Sequence, residues 1–356
     1  MGASHKKLSY LILISGILVA CFGLIAIYDA SVVDAYKTFG DKFHYVKQQS
    51  SWLILGIFAS LITAKIPLPF LKKIAPLALL LTIALLVLVL IPGIGSKFLG
   101  ARRWLVVGPV VVQPSEILKI TLVLYLSHWL EKPRELVKFL SVIGFCLLLI
   151  MFQPDLGTAI IVVGASFLIY YLSGAPVKHI LIFSAALLFS VSVLIISSPY
   201  RLDRVKTFLD PTSDPLGRSY HINQILYGIG SGGFGGVGLG KSRQKYAFLP
   251  EATTDSIFVI IAEEFGFFGA TVIIGILAYL LISSFKVAIY AKDKFSKLLA
   301  SGVSLIFLVQ IFVNLSSMVA LIPLTGVPLP FISYGGSSLV SNFIALGLLI
   351  NVASKT

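Results

Sequence analysis

Apolar runs recur along this chain at 9–28, 51–67, 74–92, 115–130, 138–152, 158–173, 179–198, 255–285, 298–322 and 337–354. At about 1.5 Å per helical residue, runs of about 20 residues cover a hydrocarbon core of roughly 30 Å. Inside lipid every backbone N–H and C=O must be paired within the protein, so a spanning segment is a helix or part of a closed barrel. The runs show no period-two alternation, which argues against barrel strands. Only 12% of the 356 residues are charged, about half the share usual in soluble domains. The expected fold is therefore an all-α polytopic membrane protein, one integral membrane domain over 1–356 with about ten transmembrane helices. The first run follows Lys6 and Lys7 with no small-residue cleavage site, and reads as a retained helix rather than a signal peptide.

The polar stretch at 199–254 interrupts the pattern and forms a large loop between the seventh and eighth spans. Ten crossings place both termini on one side. Loops on that side carry Lys6, Lys7, Lys65, Lys72, Lys73, Lys132, Arg134, Lys138, Lys178, Lys286, Lys292, Lys294, Lys297 and Lys355, whereas short loops opposite carry only Lys37, Lys42, Lys47, Lys97, Arg102 and Arg103. The positive-inside rule then predicts cytoplasmic termini and an extracytoplasmic 199–254 loop in the cell membrane. A net charge of +13, spread over loops on both faces, suits membrane lipid or phosphate and not nucleic acid. Cys21 and Cys146 fall inside apolar helices and offer neither a disulfide framework nor metal-ligand spacing.

In chain order, 29–50 reads as an interfacial connector. Next, Arg103 and Trp104 precede Gln-Pro-Ser-Glu at 113–116, a strong helix start. Arg103 is either a solvated cation or a planar fork suited to phosphate; Trp104 belongs either to the aromatic belt or to a substrate-packing surface. Lys119 stands at i+3 from Glu116, where an ion pair facing a polar cavity is the least costly arrangement. Asp155, in a second Gln-Pro turn between apolar runs, is either an interior functional group or the N-cap of the next helix.

The long loop opens with Arg201, Arg204 and Lys206, followed by turns at Asp210-Pro211 and Asp214-Pro215. The stretch 228–240 has too many glycines for an ordinary helix, and with no strand before it reads as something other than a nucleotide phosphate loop. Its glycines permit close approach to a ligand or a neighbouring helix, and Lys241, Arg243 and Lys245 add phosphate-binding character. Glu251 precedes re-entry into the membrane, where Thr253 or Thr254 is expected to cap a helix that carries Asp255 in its first turn, with Glu263 and Glu264 deeper. Three acids there are costly to bury without a purpose. Ser333, Gly335 and Gly336 head the final helix, where backbone amides either hold an anion or merely accommodate a kink. Gln310 and Asn314, at i and i+4, share one helix face.

The motifs GARRW, QPSEILK, QPDLGTA, SGGFGGVGLGKSRQK, LPEATTD, IAEEFG and LPFISYGGSS, in this order, resemble the SEDS family of polytopic membrane proteins (shape, elongation, division and sporulation), which includes RodA and FtsW. The resemblance covers essentially the whole chain, and GVGLGKSRQK leans towards the FtsW branch. It implies a ten-helix bundle and peptidoglycan glycosyltransfer, in which lipid II is polymerised and undecaprenyl diphosphate leaves. Asp255 matches the aspartate regarded as catalytic in the family's PE-x-HTD motif; Thr253 and Ser256 depart from its usual histidine and phenylalanine. The resemblance also implies lipid II and undecaprenyl-diphosphate-linked glycan as ligands and a class B penicillin-binding transpeptidase as partner. Asp255 would be general base, and Arg103, Lys119, Arg243 or Lys245 would meet the diphosphate. A divalent cation, Mg or Mn, would act with them or be dispensable; no ligand motif identifies one.

Two other readings stay open on the residues. A flippase for lipid-linked precursor would use a polar cavity lined by Lys119, Asp155 and Glu263 equally well. A structural division scaffold would leave those ionisable groups unexplained.

Overall fold

The structure, a computed structural model, describes residues 2–355 apart from 99, 100, 109, 134, 197, 198, 213, 215, 216, 218 and 247. Gly100, Arg134, Pro215 and the side chains of Lys6 and Arg201, read above, lie outside the described residues. The chain begins with α1 (Gly2–Phe39), α2 (His44–Lys65) and α3 (Leu68–Leu90), followed by strands β1 (Gly95–Phe98), β2 (Ala101–Val107) and β3 (Val110–Val112). Next come α4 (Pro114–Trp129), α5 (Leu136–Phe152), α6 (Leu156–Leu172) and α7 (Val177–Ile196). The long loop holds α8 (Pro199–Leu209) and α9 (Tyr220–Gly232); α10 (Ile257–Tyr290), α11 (Lys294–Met318) and α12 (Gly336–Lys355) complete the bundle. The fold is an all-α polytopic membrane bundle with, among the described residues, ten long helices, and with α8 and α9 in the loop between the seventh and eighth. By length and composition α1, α3, α10, α11 and α12 are apolar enough to cross a membrane, while α5, α6 and the start of α7 are shorter apolar helices.

α11 is the buried axis, packed against α4, α6, α10 and α12, and α2 lies along α12. Buried amide side chains tie these helices together: Asn351 donates to Thr63 O at 2.8 Å and Ile66 O at 2.6 Å, fastening α12 to the end of α2.

The structure corrects several local expectations. The 29–50 connector is mostly helix, because its polar residues are compatible with α1 and nothing stops that helix before Gly40, whose φ of +69° ends it. Residues 95–112 form an antiparallel sheet in the order β1-β2-β3, pairing Ser96 with Trp104 and Leu105 with Val112; the apolar β-branched run at 110–112 favours this. Within the glycine-rich stretch, Gly228, Gly230 and Gly232 belong to α9. A Cβ on Gly232 would lie 2.2 Å from Ala262 O, so the glycines there bring α9 against α10, and packing overrides their poor helix propensity. Finally, α10 starts only at Ile257, with Ser256 as its N-cap residue, so Thr253, Thr254 and Asp255 form a turn ahead of the helix.

Candidate active site

Several segments meet around Asp255. The 251–256 turn is held by Thr254 N and Ser256 N, both bonded to Glu251 O at 3.1 Å. Glu251 itself has φ +52°, a left-handed conformation that costs about 1 kcal/mol for a residue with a side chain and is often retained at working sites. Its carboxylate accepts from Thr254 Oγ1 at 2.7 Å. Beneath the turn, Asn314 donates to Asp255 O at 2.8 Å and to Val327 O at 2.7 Å. Gln310, one turn earlier on α11, donates to Pro328 O at 3.0 Å. The shared face of Gln310 and Asn314 thus holds both the turn and the 323–335 loop.

That loop closes over the site. Ser333 Oγ donates to Thr254 O at 2.6 Å and accepts from Leu329 N at 2.8 Å, and Tyr334 N donates to Thr253 O at 2.9 Å. A Cβ on Gly326 (φ +72°) would lie 3.3 Å from Asp255 Oδ2, so the loop backbone runs close beside the carboxylate. Gly335 N is bonded to Gln49 Oε1 at 3.2 Å, and Gly336 is packed against Trp52.

The charged groups around Asp255 are Glu251, Asp155, Arg204 and Arg103. Burial, then the negative charge of Glu251, push its carboxyl up to about 7; Arg204 and Arg103 act in the opposite sense, and Asp155 adds to the rise. Arg103 is fixed by donating from Nε to Gln153 O at 2.9 Å and from its guanidinium to Pro154 O, with its cationic carbon 5.9 Å from the Trp104 ring. Asp155 performs the capping role: it accepts from Thr158 N at 3.1 Å and Thr158 Oγ1 at 2.8 Å, and from Gln113 Nε2 at 3.2 Å and Ser115 Oγ at 3.3 Å. Lys119 pairs with Glu116 at 2.8 Å, with side chains only 2% and 5% exposed, and also donates to Gln310 at 3.1 Å. This pair therefore supports the α11 face that carries the turn.

The basic residues after the glycines do not all join the site. Lys245 is buried between Asp29 at 2.8 Å and Glu264 at 3.2 Å, so the expected diphosphate ligand is a structural cation occupied by two carboxylates. Lys241 and Arg243 are exposed. The letters GGVGLGKS at 235–242 do satisfy the spacing of a nucleotide phosphate loop, a match the sequence reading passed over. The stretch follows a helix, however, and its amides clasp carboxylates: Gly240 N and Ser242 N each donate to Glu264 at 3.0 Å, and Arg243 N to Glu263 at 3.1 Å. Glu263 and Glu264 thus belong to loop anchorage, and Glu263 does not share a cavity with Lys119 and Asp155.

Two contributors escaped the sequence reading. Arg204 appeared there only as part of a basic cluster, yet its guanidinium donates to Leu324 O and its charge reaches Asp255. His221, on α9, contacts Ser256 beside Asp255; the single signal in the sequence was a histidine in an otherwise uncharged helix. Among the described residues no three His, Cys, Asp or Glu side chains converge to hold a metal ion.

The family of cell cycle proteins represented by FtsW, RodA and SpoVE matches residues 9–356. The chain belongs to this family. It is 37% identical over 351 residues to stage V sporulation protein E of Bacillus subtilis, covering 96% of each chain. It is 38% identical over 341 residues to the probable peptidoglycan glycosyltransferase FtsW of Trichlorobacter lovleyi, covering 94% of this chain and 90% of that one. Among solved structures it is similar to RodA of Thermus thermophilus (28% identity, TM-score 0.71, 96% and 95% coverage). It is also similar to a chain of a peptidoglycan synthase complex that coordinates polymerization and crosslinking (28% identity, TM-score 0.80, 97% of both chains).

Proposed function

We propose that this member of the family is a peptidoglycan glycosyltransferase that polymerises lipid II on the outer face of the cytoplasmic membrane, with Asp255 as general base. The observation that carries the reading is one carboxyl raised to about 7 by burial and by Glu251, within reach of the charges of Arg204 and Arg103, in a turn fastened from α11 and from the 323–335 loop. A base works best with a pKa near the working pH. The acceptor 4-hydroxyl oxygen attacks the anomeric carbon while its proton passes to Asp255. The bond to the diphosphate breaks on the opposite side, turning an α-linkage into a β-1,4 linkage. Arg103 and Arg204 face the charge that develops on the departing diphosphate; Trp104 packs beside it, and Glu251 tunes Asp255. Lys241 and Arg243, exposed on the same loop, draw the anionic lipid headgroup towards the site.

The termini are cytoplasmic in this reading. The resemblance to a chain from a synthase complex supports a class B penicillin-binding transpeptidase as partner, which crosslinks the emerging strand.

The test is glycan product on a gel from detergent-solubilised protein with its cognate transpeptidase. Asp255→Asn keeps shape but accepts no proton, and synthesis is expected to fall by about 10²-fold or more. Normal synthesis by folded Asp255→Asn protein would end the assignment. Absence of product from the wild type, together with lipid scrambling in vesicles that is insensitive to Asp255→Asn, would favour the flippase.

A further inference from the structure

α9 reaches the Asp255 turn through His221. His221 Nε2 and Ser256 Oγ share a hydrogen bond at 3.0 Å, across 35 residues of sequence. Ser256 is the N-cap residue of α10, a position where serine ordinarily accepts from a backbone amide of the first turn, worth about 1 kcal/mol. Here it makes no side-chain capping bond. Its hydroxyl is turned to the imidazole, so a local stabilisation is forgone for a long-range one, a departure that tends to mark working sites.

On its other side His221 lines a cavity of about 250 Å³ with Asp203, Arg204, Thr207, Phe208 and Leu324. The charged groups facing it are Arg204 and Asp203 from α8, with Asp255 one residue beyond its serine partner. Burial, then the Arg204 charge, lower the His221 pKa to about 4, so near neutral pH the ring is uncharged and has one donor and one acceptor nitrogen.

We propose that His221 is a positioning residue for Asp255: through Ser256 it fixes the 251–256 turn, so that the carboxylate is presented to the acceptor hydroxyl and shielded from water. Because Asp255 and Ser256 are adjacent, a hydroxyl held from α9 limits rotation of the peptide that carries the carboxylate. Asn314 holds the same turn from α11, and Ser333 holds it from the 323–335 loop. His221 supplies the remaining direction, from α9. This inference rests on the reading of Asp255 as base.

The test compares His221→Leu, His221→Gln and Ser256→Ala in the full chain, solubilised with its transpeptidase, measuring kcat, KM for lipid II and the pH profile of kcat/KM. Small displacements of a reacting group cost up to about 10²-fold. His221→Leu and Ser256→Ala are each expected to lower kcat about tenfold or more with KM little changed. Both are also expected to move the rising limb of the profile to lower pH, as water reaches Asp255. His221→Gln, which retains a hydrogen-bonding group, is expected to recover most of the loss. Ser256→Ala removes one atom and keeps the test open where His221→Leu fails to fold. A wild-type kcat in folded variants, or a reduced kcat with an unmoved limb, would overturn the proposal. Inactive Asp255→Asn beside unaffected His221 variants would defeat this inference alone; active Asp255→Asn would defeat the base assignment with it.

Discussion

Burial raises the Asp255 carboxyl to about 7, and charged neighbours of both signs adjust it. Glu251 and Asp155 favour its neutral form, while Arg204 and Arg103 favour the carboxylate. A base works when ionised, so kcat/KM should rise with pH through about 7. Removing a carboxylate neighbour must lower that limb, and removing a cation must raise it. Glu251→Gln is expected to shift the limb to lower pH and Arg204→Met to higher pH, each on the order of half a pH unit for partly screened charges. Limbs moving in the same direction in both variants would show that the neighbours act through shape. Arg204→Met also loses the bond to Leu324 O, so its kcat is expected to fall as well, whereas the exposed Glu251 forfeits only its bond to Thr254.

The junction of α9, the 233–246 loop and α10 has a different logic from the site beside it. Gly236 and Gly266 bring two backbones into contact: a Cβ on Gly266, whose φ is +64°, would lie 2.3 Å from Gly236 N. The helix breaks at Gly266, and the loop amides fold over Glu263 and Glu264. Lys245 neutralises the resulting negative charge and reaches Asp29 on α1. Deleting one partner of a buried pair costs about 3–5 kcal/mol, because the other charges remain in a low-dielectric setting. Lys245→Met is therefore expected to lower the thermal unfolding temperature clearly in detergent. Lys241→Met, at an exposed position on the same loop, is expected to stay within about 0.5 kcal/mol of wild type. Equal melting of the two variants would mean that the Asp29–Lys245–Glu264 network does not anchor the loop.

The bundle places the segments of the site at one end. Helix starts at Pro114, Leu156, Ile257 and Gly336 lie at this end, with the β1-β2-β3 sheet beside them; Ser337 Oγ donates to Val111 O at 3.0 Å. In the orientation proposed above from the lysine distribution, this end faces outside. Lys241→Cys is expected to react with a membrane-impermeant maleimide added to intact cells, whereas Lys292→Cys, between α10 and α11, is expected to react only after permeabilisation. The two native cysteines lie within helices α1 and α5 and supply the background to subtract. The reverse pattern would invert the orientation and remove the outer-face reaction.

The amino-acid sequence alone determined the all-helical membrane architecture, because whether a run is apolar enough to enter lipid depends on its own length and polarity. The prominence of Arg103, Lys119, Asp155 and Asp255 was legible for a related reason: ionisable groups flanked by apolar runs are costly wherever the chain goes. Only the tertiary structure decided which charges meet. Lys245 and Arg243 look equivalent in the sequence, yet one is buried between Asp29 and Glu264 and the other is exposed. The glycine run permits close approach to a ligand or to a neighbouring helix, and only packing shows that it serves as a seam between α9 and α10. His221 meets Ser256 across 35 residues, and Arg204 reaches Leu324 across 120. Such pairings follow from how helices pack and where loops return, which no local pattern encodes; burial then raises the Asp255 carboxyl, together with Glu251 of its own motif and against Arg204 and Arg103 from elsewhere in the chain.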